Sequence, residues 1–205
     1  MKENHLIVSN LGDCRAVLGH EDGNQIKSLA ITHDHNCRLP LEKFLLQQAH
    51  PNEKDIVICK SPHACYVKGR LQLTRALGDV YLKYPEFNQP VLPHRSSGRF
   101  IPPPFTPPYV GSTPDVFHID LSSKDKFLIL ASDGLWDYLT DQQAVDIVEA
   151  NYKKNPTEVS QILINTALSV AAQECGMSLD KLKTCPVGRE RRGRHDDTTA
   201  VVLYF

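Results

Sequence analysis

The chain has 205 residues, 41% of them hydrophobic, with 23 Lys and Arg against 24 Asp and Glu for a formal net charge of -1. That length suits one domain, and the apolar share excludes disorder along the whole chain. The charge balance gives no reason to seek nucleic acid or a membrane surface as partner, and no apolar run approaches the roughly 20 residues of a transmembrane helix, so membrane insertion is not expected.

Residues 6–8 predict a strand, residues 10–13 a turn and residues 14–18 a return strand, so that residues 5–18 read as a hairpin. The residues before it carry no signal peptide and no Arg-rich transit segment. A third strand is expected over residues 26–31, a helix over residues 39–49 from the spacing of Leu41, Phe44, Leu45 and Ala49, and a short strand over residues 55–60. Residues 88–115 form the loosest stretch: nine of the 14 prolines lie between Pro85 and Pro114. Such density excludes regular helix and central strand and predicts an ordered surface loop or an insertion, with a Pro-rich partner ligand as the alternative.

Strands follow at residues 115–120 and 126–131, the second apolar throughout and fit for burial on both faces. Helices are expected over residues 141–150 and 159–174, the second capped by Thr157 and stopped by Gly176. Residues 177–194 read as a polar, basic loop, and residues 198–205 as a final buried strand. Strands, two helices and a last strand make an α+β layered domain. The six cysteines, Cys14, Cys37, Cys59, Cys65, Cys175 and Cys185, include no CxxC pair and read as reduced thiols. A zinc site using His63 and Cys65 is the weaker alternative, because it lacks a second ligand pair.

Two places put aspartates where an apolar strand meets a loop: Ala131-Ser132-Asp133-Gly134-Leu135-Trp136-Asp137 and His195-Asp196-Asp197-Thr198-Thr199. An acid there can reach a shared cleft while the sheet fixes its backbone, and hard cations such as Mg²⁺ or Mn²⁺ take oxygen ligands of this kind. Two such ions can activate a water for displacement at phosphorus. Asp-Gly after a strand is also a common turn, and Asp-Asp before a strand a common solvated loop, so spacing alone leaves both readings open. Gly12-Asp13-Cys14-Arg15 alone is a hairpin turn, and Trp136 alone is a core residue.

Taken together and in order, Val8-Ser9-Asn10-Leu11-Gly12-Asp13-Cys14-Arg15-Ala16-Val17, Leu73-Thr74-Arg75-Ala76-Leu77-Gly78-Asp79, Leu130-Ala131-Ser132-Asp133-Gly134-Leu135-Trp136-Asp137 and Arg194-His195-Asp196-Asp197-Thr198-Thr199 resemble the later motifs of the PP2C (PPM) protein phosphatases. The resemblance covers residues 5–205. It implies an α-β-β-α sandwich of antiparallel sheets with flanking helices, incomplete at the N-terminus, and a hydrolase acting on phosphoserine and phosphothreonine in phosphoproteins through a metal-bridged water. By position it implies Asp133 and Asp196 as ligands of a Mg²⁺ or Mn²⁺ pair, and Asp13 and Asp137 as acids of the same cluster that hold a further, looser ion. It assigns Gly134 a tight turn beside the metal, Trp136 a packing role, and Asp197 and Thr199 the fixing of the loop that presents Asp196.

Residues 70–80, 100–110 and 113–116 are similar to the pyruvate dehydrogenase phosphatase branch, which implies that complex as substrate and an intracellular place, the mitochondrial matrix, with the cytoplasm as the alternative. The family's opening motifs, including DGHGG and the early phosphate-binding arginine, do not occur, so no residue is assigned as catalytic. Asp34-His35-Asn36 matches a different family segment and is not a stand-in. The chain therefore reads as the C-terminal portion of one phosphatase domain, expected to bind metal weakly and turn over little by itself. The competing reading is a catalytically dead PP2C-like binding or regulatory module. The run Arg189, Arg191, Arg192 and Arg194 beside Asp196 reads either as a solvated loop or as an attractor for phosphorylated substrate.

Overall fold

The computed structural model describes residues 4–62, 64–89 and 100–205. In chain order its elements are strands β1 (His5–Asn10), β2 (Arg15–Asp22) and β3 (Gln25–Ala30), helix α1 (Pro40–Ala49), strands β4 (Val57–Ser61), β5 (Ala64–Val67), β6 (Asp115–Asp120) and β7 (Asp125–Ala131), helices α2 (Asp133–Trp136), α3 (Asp141–Asn151), α4 (Val159–Glu174), α5 (Leu179–Lys183) and α6 (Arg189–Arg192), and strand β8 (Ala200–Tyr204). They fall into two compact units: Met1–Val8, Cys14–His33 and Val116–Phe205 in the first, Ser9–Asp13 and Asp34–Asp115 in the second.

The first unit is built on an antiparallel sheet of order β3-β2-β7-β8. Central β7 is apolar at every position from Phe127 to Ala131, as burial on both faces requires; Phe127 and Ile129 are fully buried. One face packs on α3 and α4 through Val17, Phe127, Ile129, Leu135, Val145, Val148, Leu163 and Ala167. The opposite face, Ala16, Leu18 and Leu128, is covered by Leu6 and Val8 of β1, which pairs with β6 in the second sheet, and by Leu121 just past β6. Gly19 sits directly across from Phe127, whose ring lies 2.5 Å from where a Cβ would stand. Helix α3 starts in a capping box between Thr140 and Gln143. Helix α4 ends in a Schellman turn: Gly176 has φ +63, its N–H reaches the Gln173 carbonyl at 3.0 Å, and the Met177 N–H reaches that of Ala172 at 2.9 Å.

The second unit holds α1, the β4–β5 hairpin, 3₁₀ turns over Val80–Leu82 and Pro85–Phe87, and an irregular proline-rich segment from residue 100 to 114. That segment is ordered. Ile101, Tyr109 and Val110 are buried with Leu46, Ile56, Val67 and Leu82, and the Tyr109 and Gly111 N–H groups bond the carbonyls of Leu82 and Thr74 at 2.8 and 2.9 Å. Pro90 and Pro93 lie outside the described residues.

The α+β class holds, and five local expectations are corrected. Residues 5–18 are not a hairpin: β1 pairs with β6 and β2 with β3 and β7, because Ser9–Asp13 departs into the second unit. Helix α1 turns Leu41, Phe44 and Leu45 outward and buries Leu46 and Glu42, the latter held by the Thr74 hydroxyl. The N-cap of α4 is Glu158, not Thr157, and it makes no side-chain cap. Residues 177–194 contain α5 and α6, the first capped by the Ser178 hydroxyl. Strand β8 is a sheet edge with Val201 and Leu203 close to half exposed, so its unbroken apolar run does not mean burial on both faces.

The thiol reading is also corrected. Cys59 and Cys65 stand opposite each other in the β4–β5 ladder and form a disulfide, which removes Cys65 from any zinc site; His63 lies outside the described residues. Cys37 is a buried free thiol bonded to the Cys65 carbonyl at 2.8 Å, and burial pushes its pKa up to about 11. Thiol titration with an aromatic disulfide at pH 8 is therefore expected to label exposed Cys14 and Cys175 fast and half-buried Cys185 more slowly. Cys37 should react only after unfolding; its rapid reaction in the native protein would contradict this packing.

Candidate functional site

Strand β7 delivers the chain to Ser132, an extended N-cap residue (φ -76, ψ 166), and Asp133 is the first residue of α2. Burial of Leu135 and Trp136 fixes this turn from beneath, and the Trp136 indole N–H bonds the Ala131 carbonyl at 2.9 Å. The chain returns through Asp196, Asp197, Thr198 and Thr199 into β8. Four hydrogen bonds latch the two turns. The Ser132 N–H donates to the Thr199 carbonyl (3.1 Å) and the Thr199 N–H to Ser132 Oγ (3.0 Å). Ser132 Oγ donates to the Asp197 carbonyl (3.1 Å), and Thr198 Oγ1 to the Gly134 carbonyl (3.2 Å).

Gly134 makes the latch close. A Cβ there would stand 2.6 Å from the Asp197 carbonyl oxygen and 2.7 Å from Thr198 Oγ1. Asp133 Oδ1 accepts the N–H of Gly134 and Asp196 Oδ1 that of Asp197, each at 2.8 Å, so both carboxylates are oriented by their own turns. Asp197 and Thr199 act on the loop through their backbone groups. The side chains that tie it, Ser132 and Thr198, were not singled out from sequence; a serine between a buried strand and Asp-Gly, and a threonine before another, were the only signals.

Asp137 closes α2, where its N–H bonds the Asp133 carbonyl at 2.8 Å, and its exposed side chain lines a cavity of about 530 Å³ with Arg15, Trp136 and Asp141. Arg15 pairs with Asp141 at 2.6 Å and lies 5.4 Å over the Trp136 ring, so this motif residue is held by ion pairing and stacking rather than left free at a turn.

Asp13 belongs to the second unit. Burial raises its pKa, against a hydrogen bond from Asn36 at 2.9 Å that favours the charged form. The turn before it depends on His35: the Gly12 N–H donates to Nδ1 at 3.2 Å, so Nε2 carries the proton it gives to Asp115 at 2.9 Å. Asp115 also takes Arg75 at 2.7 Å, and these bonds, His35 first, hold its carboxyl below the usual range. His35 and Asn36 are thus buried supports of the Gly12-Asp13 turn, with Gly12 at φ +112, while buried Asp34 pairs with Arg38 at 3.7 Å.

The oxygen donors Asp133 and Asp196 fit a hard divalent cation in kind. They fall short in number: among the described residues no three His, Cys, Asp or Glu side chains form a group able to hold a metal ion.

The sequence profile of the protein phosphatase 2C family matches residues 1–176. The chain belongs to that family. It is 38% identical over 201 residues to probable protein phosphatase 2C 67 of Arabidopsis thaliana, covering 97% of this chain and 51% of that protein. It is 41% identical over 204 residues to probable protein phosphatase 2C 25 of Oryza sativa subsp. japonica, covering 98% of this chain and 50% of that one. The chain spans about half the length of the curated relatives it matches. Among solved structures, serine-threonine phosphatase 2C from Toxoplasma gondii superposes with a TM-score of 0.61 at 20% identity, covering 99% of this chain and 55% of that one. A C. elegans sex determining protein gives 0.62 at 19% identity, covering 98% and 37%. At such identities the two structures establish the phosphatase 2C fold and nothing finer.

Proposed function

We propose that this chain contributes metal-binding carboxylates to a protein serine/threonine phosphatase that cleaves phosphoserine and phosphothreonine esters with water, giving the free hydroxyl and inorganic phosphate. The observation that carries the reading is the latch that holds Asp133 and Asp196 on two hydrogen-bonded turns, on a chain of this family. A Mg²⁺ or Mn²⁺ ion, bound by these acids with further oxygen donors, would supply a polarised water and neutralise charge on the phosphoryl oxygens. The chain's own residues set where the two carboxylates stand.

Activity is expected to need more donors than the described residues supply, so the 205-residue chain alone should release little phosphate. A chimaera that joins the first half of the Arabidopsis relative to this chain should hydrolyse a phosphothreonine peptide with Mn²⁺. It should lose at least 100-fold on Asp133→Ala or Asp196→Ala and stop on chelation. A chimaera that stays inactive while the parent enzyme works would favour the binding-module reading instead. The narrower substrate, the pyruvate dehydrogenase complex of the mitochondrial matrix, is supported by the likeness of residues 70–80, 100–110 and 113–116 to that branch. A peptide from its phosphorylated subunit, assayed beside an unrelated phosphopeptide, tests the preference.

A further inference from the structure

Residues 181–194 carry six cations, Lys181, Lys183, Arg189, Arg191, Arg192 and Arg194, against one carboxylate, Glu190, in a chain whose net charge is -1. The structure sorts them. Arg194 turns away, its Nη1 on Glu190 at 3.0 Å and on Cys185 Sγ at 3.2 Å. Arg189, Arg191 and Arg192 line a cavity of about 410 Å³ together with His195 and one acid, Asp197. Arg189 is exposed, and its guanidinium has no hydrogen bond or ion pair among the described residues. Arg192 is 78% exposed and stands 3.7 Å from Asp196.

Arg191 is the ordered member. His195, only 7% exposed, gives its Nδ1 proton to the Asp196 carbonyl at 2.7 Å, so its Nε2 accepts from Arg191 Nε at 3.2 Å. That bond fixes the guanidinium plane and leaves its two Nη groups for a ligand. A planar fork held in place, beside a second free arginine and a third near Asp196, suits a phosphoryl group better than a single carboxylate, because it offers paired N–H donors to several oxygens. A loop that merely solvated its charge would have no buried histidine orienting one arginine.

We propose that this cavity binds the phosphoryl group of a phosphorylated peptide through Arg189 and Arg191, with His195 as the residue that positions Arg191. The choice of ligand rests on the phosphatase reading. The test is fluorescence anisotropy of the 205-residue chain in EDTA with a labelled peptide bearing a non-hydrolysable phosphonate analogue of phosphoserine. Saturable binding is expected, at least ten-fold tighter than for the serine peptide and competed by millimolar inorganic phosphate. Arg189→Gln with Arg191→Gln should weaken it at least ten-fold at unchanged melting temperature. Arg191→Lys, which keeps the charge but loses the fork, should weaken it several-fold. His195→Leu should do the same, and His195→Gln, which restores an acceptor for Arg191, should recover part of the loss. Equal binding of the two peptides, or binding indifferent to the double arginine change, overturns the proposal. Arginine-dependent binding in this chain with no hydrolysis by the chimaera would sink the phosphatase reading and leave the cavity standing.

Discussion

Gly134→Ala is expected to lower the stability of the first unit by about 2–3 kcal/mol, a cost typical of atoms forced into a filled space. The added Cβ would meet a backbone oxygen, Asp197 O at 2.6 Å, and Thr198 Oγ1 at 2.7 Å, and only the second can swing away. The Asp197 carbonyl is itself bonded to Ser132 Oγ at 3.1 Å, so relief requires the two turns to part and the latch to lengthen. Ser132→Ala is the informative companion: it removes bonds to Asp197 and Thr199 without adding bulk, and should cost about 1 kcal/mol. Urea unfolding of both variants measures the difference. In the chimaera, Gly134→Ala should reduce Mn²⁺-dependent hydrolysis at least ten-fold through displacement of Asp133 relative to Asp196. A Gly134→Ala protein with wild-type stability and activity would mean that the turns are not latched as described.

The elements that local pattern determines were legible in the sequence. Strand β7 is a short apolar run bounded by a Ser-Asp-Gly turn, and the helix expected over residues 141–150 stands as α3. That Asp133 follows an apolar strand and Asp196 precedes one could be read too. Pairing was not legible. Residues 5–18 look like a hairpin because two apolar runs flank Asn10-Leu11-Gly12-Asp13, but the partner of β1 is β6, more than a hundred residues on. The Cys59–Cys65 disulfide depends on the register of β4 with β5, which spacing alone does not fix. Nor did sequence reveal the ties of Ser132 to Asp197 and Thr199, which link segments 65 and 67 residues apart. The outward face of α1 fails for a related reason: buried Glu42 takes a core position because Thr74 answers it.

Lys68→Met is expected to destabilise the second unit by about 3–5 kcal/mol at pH 7, the usual cost of stranding one charge of a buried pair. Lys68 is 5% exposed and Glu53 3%. The Lys68 ammonium bonds Glu53 and, at 2.7 Å, Asp55, and lies 5.3 Å over the Tyr109 ring. Glu53 is further held by the Thr106 hydroxyl and by Tyr109 Oη, 2.9 and 3.0 Å from its two oxygens. Burial opposes the charge on Glu53, yet the bonds from Lys68, Thr106 and Tyr109 outweigh it and hold the carboxyl below its ordinary 4.5. Burial likewise opposes the charge on Lys68, and Asp55 and Glu53 overcome it to hold the ammonium above 10.5.

The signs of these shifts set the pH window. A depressed carboxyl contributes stability that is present above pH 4.5 and is lost as pH falls through the lower folded value. A raised ammonium contributes stability that is present below pH 10.5 and is lost as pH rises through the higher folded value. The gap between wild type and Lys68→Met should therefore be widest from about pH 5 to pH 10 and narrow at acid pH, where Glu53 without its partner takes up a proton. Because Lys68 sits at φ +49, methionine carries the same backbone strain as lysine, and the comparison isolates the charge. Lys68→Met with Glu53→Gln should regain more than half of the loss, since the second change removes the stranded charge and keeps an acceptor for Tyr109. Chemical denaturation of the four proteins of this cycle between pH 4 and pH 9 decides the matter. A Lys68→Met cost under about 1 kcal/mol, flat across that range, would show that water rather than Lys68 compensates Glu53.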